Sequence, residues 1–345
     1  MLERLPLVVV TGFLGSGKTT LVRRFLDGGG AVGTGVIVNE FGETGLDHKL
    51  FVHAADQVEL VDGGCLCCAR RGDVARALHD LVGQSRRAGG GFTRAVIETS
   101  GLADPAPIIA TLANNPWLRA HVELIGVIGV VDAVAGLRNL EAYDEARRQV
   151  AIADTVVVTK GDLRGATPLA EITRTVRAIA PDAAVLDAQD ADFRPASLMA
   201  ARTCDDPAGI RSSFVAEAVT HRETVGSFVL ALPTQVDWPA MTVWLSALLH
   251  VHGTRILRVK GLVRTTAGQE ALVVHGVQHT MHPPSHLRLA DTDDTPSFLV
   301  FITNGMGKAQ VECSLAAFLA LAADPVAAGR SRPPPSAASQ LEIGA

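Results

Sequence analysis

Short, almost wholly apolar runs alternate with helix-like stretches over residues 1–202. The apolar runs predict buried strands at Leu7–Thr11, Gly35–Asn39, Gln57–Val61, Ala95–Glu98, Leu124–Val131 and Thr155–Val158. Helices are predicted from about Lys18 to Leu26, from a cap at Asp73 through Leu81, and near Glu141–Ile152. Strands without a polar face that alternate with helices indicate an α/β fold, a mainly parallel sheet covered by helices on both faces.

The pattern changes after Arg202, where residues 203–220 are polar and irregular and predict a linker. Beyond it, strands are predicted at Phe228–Leu230, Arg255–Lys260, Ala271–Val277 and Phe298–Ile302, and helices at Pro239–Leu249 and from about Ser314. This mixture predicts a smaller α+β domain over residues 221–323. Residues 324–345 are rich in Pro, Ala and Ser, which predicts a disordered tail.

Composition narrows the class of protein. The chain has 345 residues, of which 48% are apolar and 19% charged, so a sizeable buried core is expected. The net charge of −5 argues against nonspecific binding to nucleic acid. No run of about 18 apolar residues is present, so no membrane span is predicted. The first apolar run leads directly into a Gly-rich turn, so no signal peptide is expected.

That Gly-rich turn, Gly12–Thr19, has the spacing of a phosphate-binding loop and lies between a predicted strand and a predicted helix. Its glycines allow backbone N–H groups to converge on phosphates, and the helix N-terminus adds positive potential. We expect Lys18 to reach the β- and γ-phosphates and Thr19 to ligate Mg²⁺. The predicted nucleotide-binding residues of this region are Gly12, Gly15, Ser16, Gly17, Lys18, Thr19 and Thr20.

Thr159–Asp162, at the end of a predicted strand, bears on the choice of nucleotide. The Asp162 carboxylate can accept hydrogen bonds from guanine N1 and N2, while the stem of Lys160 packs along the base. Adenine lacks these donors, so the motif favours GTP. The usual pattern has Asn where Thr159 stands, which changes one bond near the base. An ATP-dependent kinase or ligase is the alternative, although no acceptor site is evident for it.

Two further motifs follow predicted strands. Glu98 suits the acidic residue that holds Mg²⁺ through water, and the N–H of Gly101 suits a contact with the γ-phosphate. The predicted catalytic residues are therefore Lys18, Thr19, Glu98 and Gly101. The acids and glycines of Asn39–Gly45 suit a switch loop that senses the γ-phosphate.

Three cysteines, Cys65, Cys67 and Cys68, lie within four residues. Thiolates bind soft or borderline metals, and three of them leave one tetrahedral position for a further ligand. Glu40 or Glu43 of the switch loop, or an incoming histidine, can fill it. Buried packing cysteines and a redox pair are the alternatives. Clustered cysteines of this kind are not a disulfide framework, which favours a reducing cytoplasm.

Other cysteines and histidines are less informative. Cys204 and Cys313 are expected to be packing residues. His275, His279, His282 and His286 fall close together, and a strand would place the first two on one face. Structural roles are favoured for these histidines over metal binding.

These motifs, in this order, resemble those of the CobW-like GTPases, a family that includes zinc- and cobalt-associated metallochaperones and nitrile hydratase activators. The motifs that carry the resemblance are the phosphate loop, Asn39–Gly45, Gly63–Cys68, Glu98–Pro105, Lys160 with Asp162, and Arg258–Gly261. The resemblance implies GTP hydrolysis with Mg²⁺, Zn²⁺ or Co²⁺ bound at the three cysteines, and delivery to a client metalloprotein. Many members carry a His-rich run before the second domain, where this chain has only His221.

One alternative accompanies this interpretation: a metal sensor or buffer with residual GTPase activity and a protein-binding C-terminal module. A metal-dependent homodimer is a further prediction, as is the absence of nucleic-acid and membrane partners.

Overall fold

The computed structural model describes residues 4–38, 49–54, 57–62, 72–87, 92–163, 169–199, 225–234, 236–265, 270–288 and 296–323. They fall into two compact units that divide between Met306 and Gly307. The first contains two sheets, and the second contains the last helix of the described chain. Within these residues no helix is long and apolar enough to cross a membrane.

The first sheet has eight strands in the order β4-β3-β2-β5-β1-β6-β7-β8. Their bounds are β1 Leu5–Gly12, β2 Thr34–Val38, β3 Lys49–Ala54, β4 Gln57–Asp62, β5 Arg94–Glu98, β6 Val122–Asp132, β7 Thr155–Thr159 and β8 Ala184–Asp187. Every pairing from β2 to β8 in that order is parallel. The predicted mainly parallel α/β sheet is confirmed.

The sequence prediction missed two strands of this sheet, β3 and β8. β3 and β4 form an antiparallel hairpin against the edge strand β2. β8 is a short strand in which every residue is partly exposed, so it lacks the wholly apolar pattern that marked its neighbours.

Helices cover both faces of the sheet. Their bounds are α1 Lys18–Phe25, α2 Gly72–Arg87, α3 Ala106–Asn114, α4 Pro116–His121, α5 Gly136–Ala142, α6 Asp144–Ile152, α7 Leu169–Ile179 and α8 Pro195–Leu198. Successive residues of β1 point to opposite faces: Val8 and Val10 share an apolar cluster with α1, whereas Leu7 and Val9 share one with α2, α3 and α4. Burial of β1 on both faces explains its continuous apolar run.

The second sheet is antiparallel and has the order β12-β11-β10-β14-β9, with β13 paired to β11. Its strands are β9 Val225–Ala231, β10 Ile256–Arg264, β11 Glu270–Val277, β12 Thr280–Met281, β13 Ser285–Arg288 and β14 Phe298–Asn304. Helix α9, Trp238–His252, belongs to this region, and helix α10, Lys308–Ala323, forms the second unit. The predicted α+β character of the C-terminal half is confirmed.

Several predicted helix bounds were wrong. Helix α2 begins at Gly72 and extends to Arg87, so Asp73 lies inside the helix instead of capping it. The helix predicted near Glu141–Ile152 is two helices, because Tyr143 has extended backbone angles.

The last helix starts at Lys308 instead of Ser314. The Gln310 side chain accepts a hydrogen bond from the Gly307 N–H at 3.1 Å and so caps an earlier first turn. The predicted linker and C-terminal tail lie outside the described residues, and the predicted domain boundaries stay a prediction.

Candidate functional site

The phosphate loop connects β1 to α1 through glycines in the left-handed region. Gly12, Gly15 and Gly17 have φ angles of 150°, 69° and 96°, which side-chain-bearing residues rarely adopt. A Cβ on Gly12 would also lie 2.4 Å from the Val130 carbonyl oxygen. The loop therefore requires glycine here both for its backbone angles and for its close approach to β6.

Lys18 lies at the first turn of α1 and folds back over this loop. Its Nζ donates to the Gly12 carbonyl at 2.9 Å and to the Phe13 carbonyl at 3.2 Å. The ammonium group is therefore held beside the loop's backbone N–H groups and the positive end of a helix, an arrangement that binds phosphate.

Thr19 and Glu98 bring two oxygen ligands together. The hydroxyl of Thr19 donates to Glu98 Oε1 at 2.5 Å, because β5 is the direct neighbour of β1 and both strands end at the same edge. Hydroxyl and carboxylate oxygens are the ligands that Mg²⁺ prefers. The hydroxyls of Ser16 and Ser100 are buried and have no hydrogen-bond partner among the described residues. This set fits a magnesium ion and a phosphorylated ligand.

The loop after Glu98 is attached to the phosphate loop. Thr99 donates to the hydroxyl of Thr11 at 3.0 Å and through its N–H to Val10. A Cβ on Gly101 would lie 2.6–2.8 Å from three atoms of Leu14, so the two loops are in direct contact. Thr11 was not predicted as a site residue, since its role depends on a partner on another strand.

Gln149 of α6 supports the same loop from its other side. Its Nε2 donates to the carbonyls of Gly101 and Ala103 at 3.2 and 3.0 Å, and its side chain is almost completely buried. Gln149 was not among the predicted site residues, because spacing along the chain does not show its contact with the Gly101 and Ala103 carbonyls.

The loop that contains Lys160 and Asp162 follows β7. Lys160 has a positive φ of 55°, and its Nζ lies 3.8 Å from Asp132 Oδ2. The other oxygen of Asp132 accepts from the N–H groups of Val134 and Ala135. Asp132 thus forms an ion pair with the ammonium group of Lys160 at the carboxyl ends of β6 and β7. It is a further residue that the sequence prediction missed.

Asp162, which is predicted to bind the base, is exposed. Gln189, just after β8, donates from Nε2 to Asp162 Oδ1 at 3.1 Å. Gln189 also lies close to Gly161, where an added Cβ would be 3.0 Å from its Cγ. Because β8 was not predicted, neither was the contribution of Gln189.

The predicted metal ligands Cys65, Cys67, Cys68, Glu40 and Glu43 lie outside the described residues, as do Thr44, Gly45 and Cys204. The exposed Cys313 is not the packing residue that was predicted.

The strands beside the predicted metal ligands are described, and their register is informative. Ile37 of β2 pairs with Ile97 of β5 and with Leu50 of β3, and Leu50 pairs with Val61 of β4. β4 is therefore parallel to β5 and level with it, so Asp62 and Glu98 end their strands at the same edge. Three strand spacings separate them, about 14 Å.

Among the described residues, the late histidines are not gathered into a group of three or more metal-binding side chains. His279 lies beyond the end of β11, so it does not share a strand face with His275 as predicted. Its Nδ1 lies 3.1 Å from the carbonyl oxygens of Leu249 and His250. Within the described ranges, no group of three or more His, Cys, Asp or Glu side chains is placed to hold a metal ion.

A phosphate loop, a Thr–Glu oxygen pair and a Lys–Asp loop at the carboxyl ends of parallel strands define a P-loop nucleotide-binding protein. The nucleotide-binding domain of the CobW/HypB/UreG family matches residues 6–187, and the C-terminal domain of the cobalamin synthesis protein CobW matches residues 225–319. The chain belongs to this family of P-loop GTPases, as its motifs predicted.

Individual relatives support the same assignment. The zinc chaperone YjiA of Escherichia coli is 33% identical over 279 residues, which span 79% of this chain and 86% of YjiA. Zinc-regulated GTPase metalloprotein activator 1 of Schizosaccharomyces pombe is 30% identical over 183 residues, 51% of this chain and 43% of that protein. The crystal structure of the Zn(II)-bound YjiA GTPase from E. coli superposes with a TM-score of 0.65 at 26% identity, covering 92% of this chain and 99% of the other.

Proposed function

We propose that this chain is a GTP-hydrolysing metallochaperone that binds Zn²⁺ or Co²⁺ at Cys65, Cys67 and Cys68 and inserts it into a client metalloprotein. The names of two relatives, a zinc chaperone and a metalloprotein activator, support a role in metal delivery. We assign nucleotide binding to a domain at residues 1–202 and place the CobW-like C-terminal α+β domain at 221–323.

In this proposal, Gly12, Gly15, Ser16, Gly17 and Thr20 surround the phosphates of GTP or GDP. Lys18 moves its ammonium group from the loop carbonyls to the β- and γ-phosphates. The base is read by Asp162, beside the stem of Lys160. Gly101 contributes its N–H to the γ-phosphate.

Thr19 and Glu98 hold the magnesium ion that this class of enzyme uses. When bound, Mg²⁺ neutralises charge that develops on the phosphates during transfer. The short Thr19–Glu98 hydrogen bond already places the two oxygens side by side, so little rearrangement of either side chain is needed.

The level arrangement of β4 and β5 is the observation that carries the link between nucleotide and metal. The chain continues toward Cys65 from Asp62, about 14 Å along the sheet edge from Glu98. Between them lies β2, which ends at Val38 and leads into the Asn39–Gly45 segment. We propose that GTP orders this segment, so that Glu40 or Glu43 completes the thiolate site, and that hydrolysis releases it.

Calorimetric titration with Zn²⁺ and with Co²⁺ tests the coupling. The full chain is titrated with a non-hydrolysable GTP analogue, with GDP and without nucleotide. We expect the tightest binding with the analogue, because a ligand shifts a switch only by its preference for one state. Equal affinity in all three conditions would remove the coupling.

Two variants locate the metal site. Cys65→Ser should lose tight binding, because only two thiolates remain. The matched control is Cys313→Ser, which changes an exposed thiol and should bind as the wild type does. Loss of binding in both variants, or in neither, would contradict the assignment.

A metal sensor or buffer is the competing function, and Lys18→Ala separates the two. A chaperone that depends on its nucleotide should lose GTP-stimulated transfer of Zn²⁺ to a chelator in this variant. Transfer equal to that of the wild type would favour the buffer. The guanine assignment is tested by displacement of a fluorescent GTP analogue, where ATP should compete far more weakly than GTP.

A further inference from the structure

The segment Gly101–Asp104, which follows Glu98, is bonded on two sides by different parts of the chain. Gln149 of α6 donates to the Gly101 and Ala103 carbonyls, as described above. On the other side, Asp104 Oδ2 accepts a hydrogen bond from Nε2 of Gln278 at 3.0 Å. Gln278 belongs to the antiparallel sheet, so a residue of the C-terminal half contacts the proposed γ-phosphate loop directly.

The backbone of Gln278 is held in place by contacts with neighbouring elements. It lies in the turn between β11 and β12 with a positive φ of 48°, and its N–H donates to the Leu257 carbonyl at 3.2 Å. The preceding residue, Val277, packs against the apolar cluster that includes Ile108 and Ile109 of α3. The backbone that carries the Gln278 side chain is therefore attached to the helix that begins just after Asp104.

Arg258 attaches the same part of the antiparallel sheet to α6. It pairs with Val277 across β10 and β11, and its guanidinium donates to the carbonyls of Ile152 and Ala153 at 2.9 and 2.6 Å. These carbonyls are at the end of the helix that carries Gln149. The contacts therefore return to their starting point. The Gly101–Asp104 segment contacts Gln149 of α6, the end of α6 contacts Arg258, and Arg258 pairs with Val277, next to Gln278, which bonds to Asp104.

We propose that Gln278 positions the Gly101–Asp104 segment for GTP hydrolysis, and that the antiparallel sheet thereby senses the nucleotide. The inference rests on the proposed contact between the Gly101 N–H and the γ-phosphate. A shift of Gly101 that carries Asp104 with it either breaks the Gln278–Asp104 bond or moves the turn that carries Gln278. Gln278 is a positioning residue, because its side chain touches Asp104 and not the nucleotide.

The test compares GTP hydrolysis by the full chain and by Gln278→Asn. Asparagine tolerates a positive φ, but its side chain is one methylene shorter and cannot reach Asp104. We expect kcat to fall about three- to tenfold, the effect of losing one typical intramolecular hydrogen bond, with KM within about twofold. A kcat equal to that of the wild type would overturn the proposal.

A matched control separates positioning from general attachment of the sheet. Lys260 of β10 forms an ion pair with Asp182 at 3.3 Å. This contact also connects the antiparallel sheet to the nucleotide-binding half, but Lys260 does not touch the Gly101–Asp104 segment. Lys260→Met should keep kcat within about twofold of the wild type. An equal loss of kcat in Lys260→Met and Gln278→Asn would also overturn the proposal.

A double-mutant cycle supplies the second measurement. In an Asp104→Ala background, which has no side-chain partner for Gln278, Gln278→Asn should cause little further loss; full additivity would contradict a direct interaction. If the wild-type chain hydrolyses no GTP, the proposed function fails instead. Gln278 is then judged by the ratio of Kd for a GTP analogue to Kd for GDP, which Gln278→Asn should change and Lys260→Met should not.

Discussion

At the scale of single residues, the hydroxyl of Thr159 connects the two ends of the nucleotide site. It is buried and donates to the Ser16 carbonyl at 2.6 Å. Thr159 also packs beside Gly17, where an added Cβ would lie 3.3 Å from its Oγ1. The threonine found in place of the usual asparagine therefore connects the end of β7, just before Lys160, to the phosphate loop.

Replacement of Thr159 by valine keeps the shape of the side chain and removes its hydroxyl. The Ser16 carbonyl then loses a buried partner, so we expect the free energy of unfolding to fall by about 1–3 kcal/mol. GTP and GDP should both bind more weakly, since the loops at either end of the nucleotide lose their connection. Urea unfolding and nucleotide titration measure the two effects.

Thr159→Ser is the matched control for this variant. It retains the hydroxyl and should recover most of the lost nucleotide affinity. If valine leaves both stability and affinity at wild-type values, the Thr159–Ser16 bond has no role in the site.

At the scale of secondary-structure elements, β10 and β14 approach each other closely at Gly261. A Cβ there would lie 2.1 Å from the Phe298 carbonyl oxygen and 2.8 Å from Leu299 Cα. Both are backbone atoms of the neighbouring strand, so they cannot move without disturbing the ladder. The glycine of the Arg258–Gly261 motif is therefore required by the pairing of two strands.

Gly261→Ala should lower the free energy of unfolding by about 1–3 kcal/mol, the usual cost of forcing extra volume into a packed site. Gly226→Ala is the control in the same sheet, since no atom lies within 4 Å of its added Cβ. That variant should be neutral or slightly stabilising. Equal urea midpoints for the two variants would contradict the predicted close contact.

At the scale of the whole molecule, buried charges connect the two sheets. Arg258 forms ion pairs with Asp154 and Asp182, and Lys260 with Asp182. Burial raises the pKa of both carboxyls, but the two cations outweigh it and hold each pKa below its usual range. Burial, reinforced by Lys260 and Arg258, lowers the pKa of His275 to about 3, against an opposing pull from Asp154.

These shifts predict a loss of stability in acid. His275 stays neutral when folded, whereas the unfolded chain takes up a proton as the pH falls through about 6.5. The stabilisation is therefore complete above pH 6.5 and declines from there toward pH 3. Between pH 7.5 and 5 we expect the free energy of unfolding to fall by roughly 1–2 kcal/mol from this group. His282, whose pKa is lowered chiefly by burial, acts in the same direction.

Urea unfolding at both pH values measures this dependence. His275→Gln should reduce it, because glutamine does not titrate. Two identical pH dependences, for His275→Gln and the wild type, would contradict the assignment.

Motifs and apolar runs that are local in the sequence allowed the fold class and the family of this protein to be predicted. Each predicted motif lies within one strand and the loop that follows it. These motifs are the phosphate loop Gly12–Thr19, Glu98 at the end of an apolar run, and Lys160 with Asp162 after another run. Their functional geometry depends on neighbours in sequence, and the parallel sheet then brings the strand ends to one edge. The sequence by itself therefore determined the fold class and the family, and it predicted the residues that we propose bind the nucleotide.

Only the tertiary structure showed the contacts between distant residues. Gln149 and Gly101 are 48 residues apart, and Gln278 and Asp104 are 174 residues apart. The β3–β4 hairpin, which brings Asp62 level with Glu98, likewise depends on pairing in space. A side-chain hydrogen bond leaves no periodic pattern in the sequence, since it requires only one polar residue at each end. The sequence predicted which residues bind a nucleotide. The tertiary structure showed which distant residues contact the segments that carry them.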